Sequence, residues 1–141
     1  MSSKNTIIHA SCVSVNNKAI LLLGDSGSGK SDLALRLIDG GAQLVADDYV
    51  EIRVQNNILT ASPPKQLEGL IEARGIGILS LPFIRDIELK LAINLVARDA
   101  VERLPEAQFF DCLEHKLPLL SLHAFDSSTP AKIRFFIDKI E

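Results

Sequence analysis

The sequence predicts a single strand-rich α/β domain, residues 1–141, built around a phosphate-binding loop. Three observations point there. A continuous apolar run, Lys18 to Leu23, leads into a glycine- and serine-rich break, Gly24 to Gly29, and a segment of helical periodicity follows it. Ile87, Leu89, Leu91, Ile93 and Leu95 alternate strictly with other residues, as a half-buried strand requires. The 141 residues, 47% hydrophobic and 23% charged, suit one domain with a real core.

Taken in order, Ile7 to Val15 is short and rich in β-branched residues, and Asn16-Asn17 reads as a turn. With Lys18 to Leu23 this predicts a hairpin whose second strand is buried. After the glycine-rich break, Leu33, Ala34, Leu37 and Ile38 mark one face of a helix over Lys30 to Asp39, stopped by Gly40-Gly41. Gln43 to Ala46 predicts a buried strand ending at Asp47-Asp48. Val50, Ile52 and Val54 alternate with polar residues in the next strand, and Asn56-Asn57 turns the chain into Ile58 to Ala61. Pro63-Pro64 breaks regularity. Leu67 to Leu81, with glycines at 69, 75 and 77, predicts a tight loop leading into a strand. Arg98 to Leu113 reads as irregular, Leu117 to Leu122 as a strand, and Pro130 as the start of a final helix to Ile140.

Composition excludes several classes. A net charge of -3 argues against a protein that neutralises nucleic-acid phosphates. The opening MSSKNTIIHA has no apolar run long enough for a signal peptide. The longest membrane-span candidate, Ile87 to Val96, is broken by Glu88, Lys90 and Asn94. Cys12 and Cys112 lack a CxxC partner and are expected to be buried thiols in a reducing compartment, with the cytoplasm as location.

Gly24-Asp25-Ser26-Gly27-Ser28-Gly29-Lys30-Ser31 matches GxxxxGK[ST] in full, with a strand before it and a helix after it. The glycines let successive N–H groups turn inward at phosphate oxygens, and the helix N-terminus adds partial positive charge. Lys30 would reach the β- and γ-phosphates of ATP, and Ser31 would offer its hydroxyl to Mg²⁺. Asp47 and Asp48 end a predicted strand, and strand carboxyl ends gather near such a loop. A carboxylate there can hold Mg²⁺ or take a proton from an attacking hydroxyl. Phe109-Phe110 and Phe135-Phe136 are expected in the core rather than as base-stacking platforms, and His115 and His123 lack metal-ligand spacing.

His9, GDSGSGKS, LVADDYVEI at 44–52 and IEARGIGILS at 71–80 together resemble a known family. From His9 to about Ile137 the chain looks like the catalytic domain of bacterial HPr kinase/phosphorylase, which modifies a serine on the phosphocarrier protein HPr. The last segment resembles the family's E-x-R-G-x-G signature and is the most specific of these. The resemblance implies a fold related to the nucleotide-binding core of phosphoenolpyruvate carboxykinase rather than to Ras-like NTPases. It implies Asp48 as proton acceptor from the target serine, and as donor in the reverse reaction. His9 would support that chemistry, Lys30 would stabilise the transferring phosphoryl group, and Ser31 and Glu72 would bind Mg²⁺. Arg103 sits where the family has a catalytic arginine. Residues 128–132 (STPAK) fall where the family has a proline- and arginine-rich loop used in dephosphorylation. A homo-oligomer, hexameric by the same resemblance, is also implied.

The sequence departs from the family in places. Pro130-Ala131-Lys132 replaces a Pro-Gly-Arg loop, which keeps a charge but loses the bidentate guanidinium fork. The sequence is expected to lack the N-terminal domain of long members. The first expectation is therefore an ATP- and Mg²⁺-dependent serine kinase of an HPr-like phosphocarrier, with phosphorolysis as a further activity. The alternative is a non-catalytic nucleotide-sensing regulatory module. A small-molecule kinase would need a lid, and no long basic lid segment is evident.

Overall fold

The computed structural model describes residues 4–140. Among the described residues the strands are β1 (Asn5–His9), β2 (Ser11–Val15), β3 (Lys18–Leu23), β4 (Gln43–Ala46), β5 (Tyr49–Gln55), β6 (Ile58–Ser62), β7 (Leu70–Ala73), β8 (Gly77–Ser80), β9 (Ile87–Leu95), β10 (Gln108–Cys112) and β11 (His115–Leu122). The helices are α1 (Lys30–Asp39) and α2 (Thr129–Ile137). Strand order is β1-β5-β6-β9-β3-β2-β4, with β10-β11 joined to β9, and β7-β8 forms a separate hairpin.

β3 and β9 run parallel, as do β9 and β11. β4 is antiparallel to β2, which is antiparallel to β3, so β4 runs with β3. The carboxyl ends of β3, β4, β9 and β11 therefore meet at one end of the sheet, where open α/β sheets place ligands. β9 is the branch point: its start pairs with β6 and its end pairs with β11.

Each face of the central sheet is covered. Ile20, Leu22, Leu91 and Ile93 pack under α1 and α2 with Leu33, Leu37, Ile133 and Ile137. Ala19, Leu21, Leu89 and Ala92 pack on the other side with Val50, Ile52, Leu59 and Ala61 of the β1-β5-β6 layer. The α1 face read from its periodicity is the buried one. Arg134 of α2 donates to the Leu37 carbonyl at 2.7 Å, and Lys18 donates to the Ile137 carbonyl at 3.2 Å. A cation thus sits at the carbonyl end of each helix, where the helix dipole favours it.

Several elements differ from expectation. The run 7–15 is two strands, split at Ala10, with β1 paired to β5 and β2 to β3. β9 is buried on both faces, because a register shift after Ala19 places Leu89 and Leu91 in opposite cores. Residues 70–80 form a hairpin, and β10 lies inside the segment expected to be irregular. Residues 128–132 are not a loop: Ser128 precedes α2 and Thr129 to Lys132 belong to its first turns. Phe109 and Phe135 are exposed, and only Phe110 and Phe136 pack against the cores. Cys12 is buried and Cys112 half-buried, both as free thiols, and burial pushes each thiol up from its ordinary range.

Candidate nucleotide and phosphotransfer site

The loop after β3 must curl tightly before α1 begins, and Gly24, Gly27 and Gly29 take φ of 154°, 82° and 100° to do so. A cavity of about 520 Å³ opens over it. Ser26, Gly27, Gly29, Lys30 and Ser31 form its floor, and His9, Asp48, Glu72 and Arg74 rise around it. Asp25 and Ser28 are in the loop but face a second cavity.

Lys30 is buried, and its ammonium donates to the carbonyls of Gly24 at 2.7 Å and Asp25 at 3.0 Å. An ammonium carries three donors, so one remains for a phosphate oxygen. These bonds hold the charge over the loop instead of letting it swing into water.

Asp47 directly follows β4 and is nearly inaccessible to water. Its carboxylate accepts from the hydroxyls of Ser11 at 2.6 Å and Ser31 at 2.7 Å, and from the backbone N–H of Glu72 at 3.2 Å. One carboxylate thus ties β2, the start of α1 and β7 to each other. Bonds of this type to an ionised acceptor are short and strong.

Asp48 follows at φ 71°. The N–H of Tyr49 donates to the Asp47 carbonyl at 2.8 Å, which closes a three-residue turn around Asp48. Asp tolerates this left-handed backbone better than most residues, and the turn throws the carboxylate outward. There its Oδ1 lies 3.2 Å from Nε2 of His9, the last residue of β1. The pairing of His9 with Tyr49 in the β1–β5 register fixes that approach, and the two rings stand 5.3 Å apart.

Glu72 and Arg74 belong to the β7-β8 hairpin at the cavity wall, and among the described residues they make no ion pair with each other. Oxygen donors from Ser31 and Glu72, backed by buried Asp47, fit a hard cation such as Mg²⁺. No group of three or more His, Cys, Asp or Glu forms a cage among the described residues.

The structure brings together His9, Lys30, Ser31, Asp48, Glu72 and the phosphate loop, as expected. It does not bring Arg103 there. Arg103 lies in the exposed segment 102–107, whose residues Glu102 and Pro105 line a separate groove with Phe109 and Phe136. Lys132 is also absent from the cavity lining. Ser11 and Phe125 also line the cavity, and neither was singled out for a role. For Asp47, the Val-Ala-Asp-Asp strand end was the available signal, but its hold on Ser31 is visible only in three dimensions.

Comparison with known proteins follows this geometry. Residues 1–124 match the family model for the HPr Serine kinase C-terminal domain. A curated relative, HPr kinase/phosphorylase of Bordetella avium (strain 197N), is 41% identical over a 111-residue alignment, with 71% of this chain and 36% of the relative covered. The chain therefore spans little more than a third of that relative's length. Among solved structures, the Hpr(Ser) kinase/phosphatase from Coxiella burnetii superposes with a TM-score of 0.84 at 27% identity, covering 95% of this chain and 89% of that one. No helix among the described residues is long and apolar enough to cross a membrane.

Proposed function

Because the chain belongs to the HPr serine kinase C-terminal domain family, we propose that it transfers the γ-phosphoryl group of Mg-ATP to a serine of an HPr-like phosphocarrier protein. The observation that carries this reading is the placement of the Asp48–His9 pair beside Lys30 and Ser31 in one open cavity.

The residues divide the work. Main-chain N–H groups of the loop and the free donor of Lys30 hold phosphate oxygens. Ser31 and Glu72 hold Mg²⁺, which neutralises phosphate charge when bound. Asp48 is exposed and faces the cavity, so a partner's serine can reach it. As the serine oxygen bonds to the γ-phosphorus, the bond to the β–γ bridging oxygen breaks, ADP leaves, and the serine proton passes to Asp48. His9 keeps the Asp48 carboxylate oriented and shares its charge through their 3.2 Å contact. Most of the acceleration comes from positioning and charge neutralisation. With inorganic phosphate as acceptor in place of ADP, the same groups would take the phosphoryl group from phosphoserine to form pyrophosphate, with Asp48 returning the proton to the serine oxygen.

The test is phosphotransfer from labelled ATP with Mg²⁺ to HPr-like proteins, followed by mass mapping of the modified residue. Label on a serine of the carrier is expected. Tight nucleotide binding with no transfer would instead support the non-catalytic sensing module.

A further inference from the structure

Beside the phosphate loop lies a second cavity of about 580 Å³. It shares Ser26, Gly27 and Phe125 with the first, and none of His9, Asp48 or Glu72 lines it. The loop is thus a ridge between two basins, with the acceptor chemistry confined to one. Asn94, Val96 and His123, at the carboxyl ends of β9 and β11, form the wall of the other.

Phe125 stands on the ridge with 54% of its surface exposed. It is nevertheless fixed. Arg36 donates to the Ala124 carbonyl, Thr129 donates to the His123 carbonyl at 2.5 Å, and Arg98 pairs with Asp126 at 2.7 Å. The His123 ring meets Phe125 edge-on, with centroids 5.8 Å apart and planes at 70°. On the loop side, a Cβ added to Gly29 would come within 2.8 Å of the Phe125 ring. The chain on both sides of the ring is held in place, so a ligand stacking on it has little backbone left to order.

The polar groups around the ring also suit a ligand. Nδ1 of His123 lies 3.0 Å from the Val96 carbonyl, and a carbonyl can only accept, so Nδ1 is the protonated nitrogen. In the neutral ring Nε2 is then an acceptor, matched to an exocyclic amine. Ser28 lines the same cavity, and its buried hydroxyl has no hydrogen-bond partner.

We infer that this second cavity takes the nucleobase and ribose of the nucleoside triphosphate, with Phe125 as the ring on which the base stacks. The inference rests on the reading above that the triphosphate lies on the loop. Base stacking on one aromatic side chain is worth about one to three kcal/mol, which converts to roughly a 5- to 150-fold change in affinity.

The test is calorimetric titration of the intact chain and two variants with Mg-ATP and, separately, with Mg-tripolyphosphate, which has no base. Phe125→Ala is expected to weaken ATP binding about tenfold or more and to leave tripolyphosphate within about twofold. Phe125→Tyr, which keeps the ring, is expected to bind both as the parent does. Equal weakening of both ligands by Phe125→Ala, or unchanged ATP affinity, overturns the base site while the phosphate reading stands. Failure of the parent to bind either ligand overturns both.

Discussion

Nε2 of His9 and Oδ1 of Asp48 meet at 3.2 Å across the junction of β1 and β5. Asp48→Asn keeps the shape and tolerates the same backbone, but cannot accept the serine proton. We expect turnover to fall at least about a hundredfold with ATP affinity unchanged. His9→Asn should lower turnover by a smaller factor, since the carboxylate survives. Steady-state phosphotransfer alongside calorimetry separates the two effects, and near-parental transfer by Asp48→Asn would defeat the assignment.

Asp47 answers three donors from three elements. Asp47→Ala leaves Ser11 and the Glu72 N–H without their acceptor, so a loss of at least about 2 kcal/mol in stability is expected. Ser11→Ala removes a single bond and should cost about 1 kcal/mol. Urea denaturation midpoints rank the two, and equal stability of Asp47→Ala and the parent would contradict the role given to this carboxylate.

Gly27 and Gly29 both need positive φ, but their surroundings differ. A Cβ at Gly27 meets open space, whereas one at Gly29 would lie 2.8 Å from the Ala124 Cβ and the Phe125 ring. Gly27→Ala should cost only backbone strain, about 1 kcal/mol, and Gly29→Ala measurably more. Thermal unfolding of the two variants decides this. A smaller loss at Gly29 would mean that the 124–125 segment yields easily.

His115 places Nδ1 at 2.9 Å from the Leu113 carbonyl and Nε2 at 3.1 Å from the Asn57 carbonyl. Both partners only accept, so the doubly protonated ring fits best. These bonds, Leu113 first, raise the imidazole above its ordinary 6.5, with Glu114 adding and Lys4 opposing. The stabilisation is therefore complete below pH 6.5 and disappears as pH rises through the raised value. The melting temperature of the parent should fall over that window relative to His115→Gln, and parallel profiles would refute it.

Leu113 and Glu114 form the β10–β11 turn with φ of 47° and 65°, a geometry that other turns here give to asparagine pairs at 16–17 and 56–57. Glu114→Gly should relieve strain and raise stability by about 1 kcal/mol, the lost surface contact with Lys4 counting for little. Denaturant titration provides the check.

That same turn explains what the sequence concealed. Asn16-Asn17 and Asn56-Asn57 announce their hairpins because asparagine is suited to a left-handed backbone. Leu-Glu announces nothing, so β10 reads as irregular until its register with β11 is seen. The lining of the cavity was legible wherever a local run supplies it: the loop from Gly24 to Ser31, the strand end at Asp48, and Glu72. Its remainder depends on distant segments meeting. The Ser11–Asp47–Ser31 contact spans 36 and 16 positions, and Phe125 reaches Gly29 from beyond β11. Arg103 is a different case, since a short pattern match carries no information on which cavity its segment lines.

The branching of β9 has a kinetic consequence. Its first half closes one sheet with β6, its second half closes another with β11, and β3 runs along the opposite edge. Neither sheet can detach without exposing residues that are wholly buried, such as Leu91, Ala92 and Ile93. The backbone amides of this strand should consequently trade their protons for deuterium only when the entire chain opens. The loops that line the two cavities would exchange through smaller openings that leave this spine untouched.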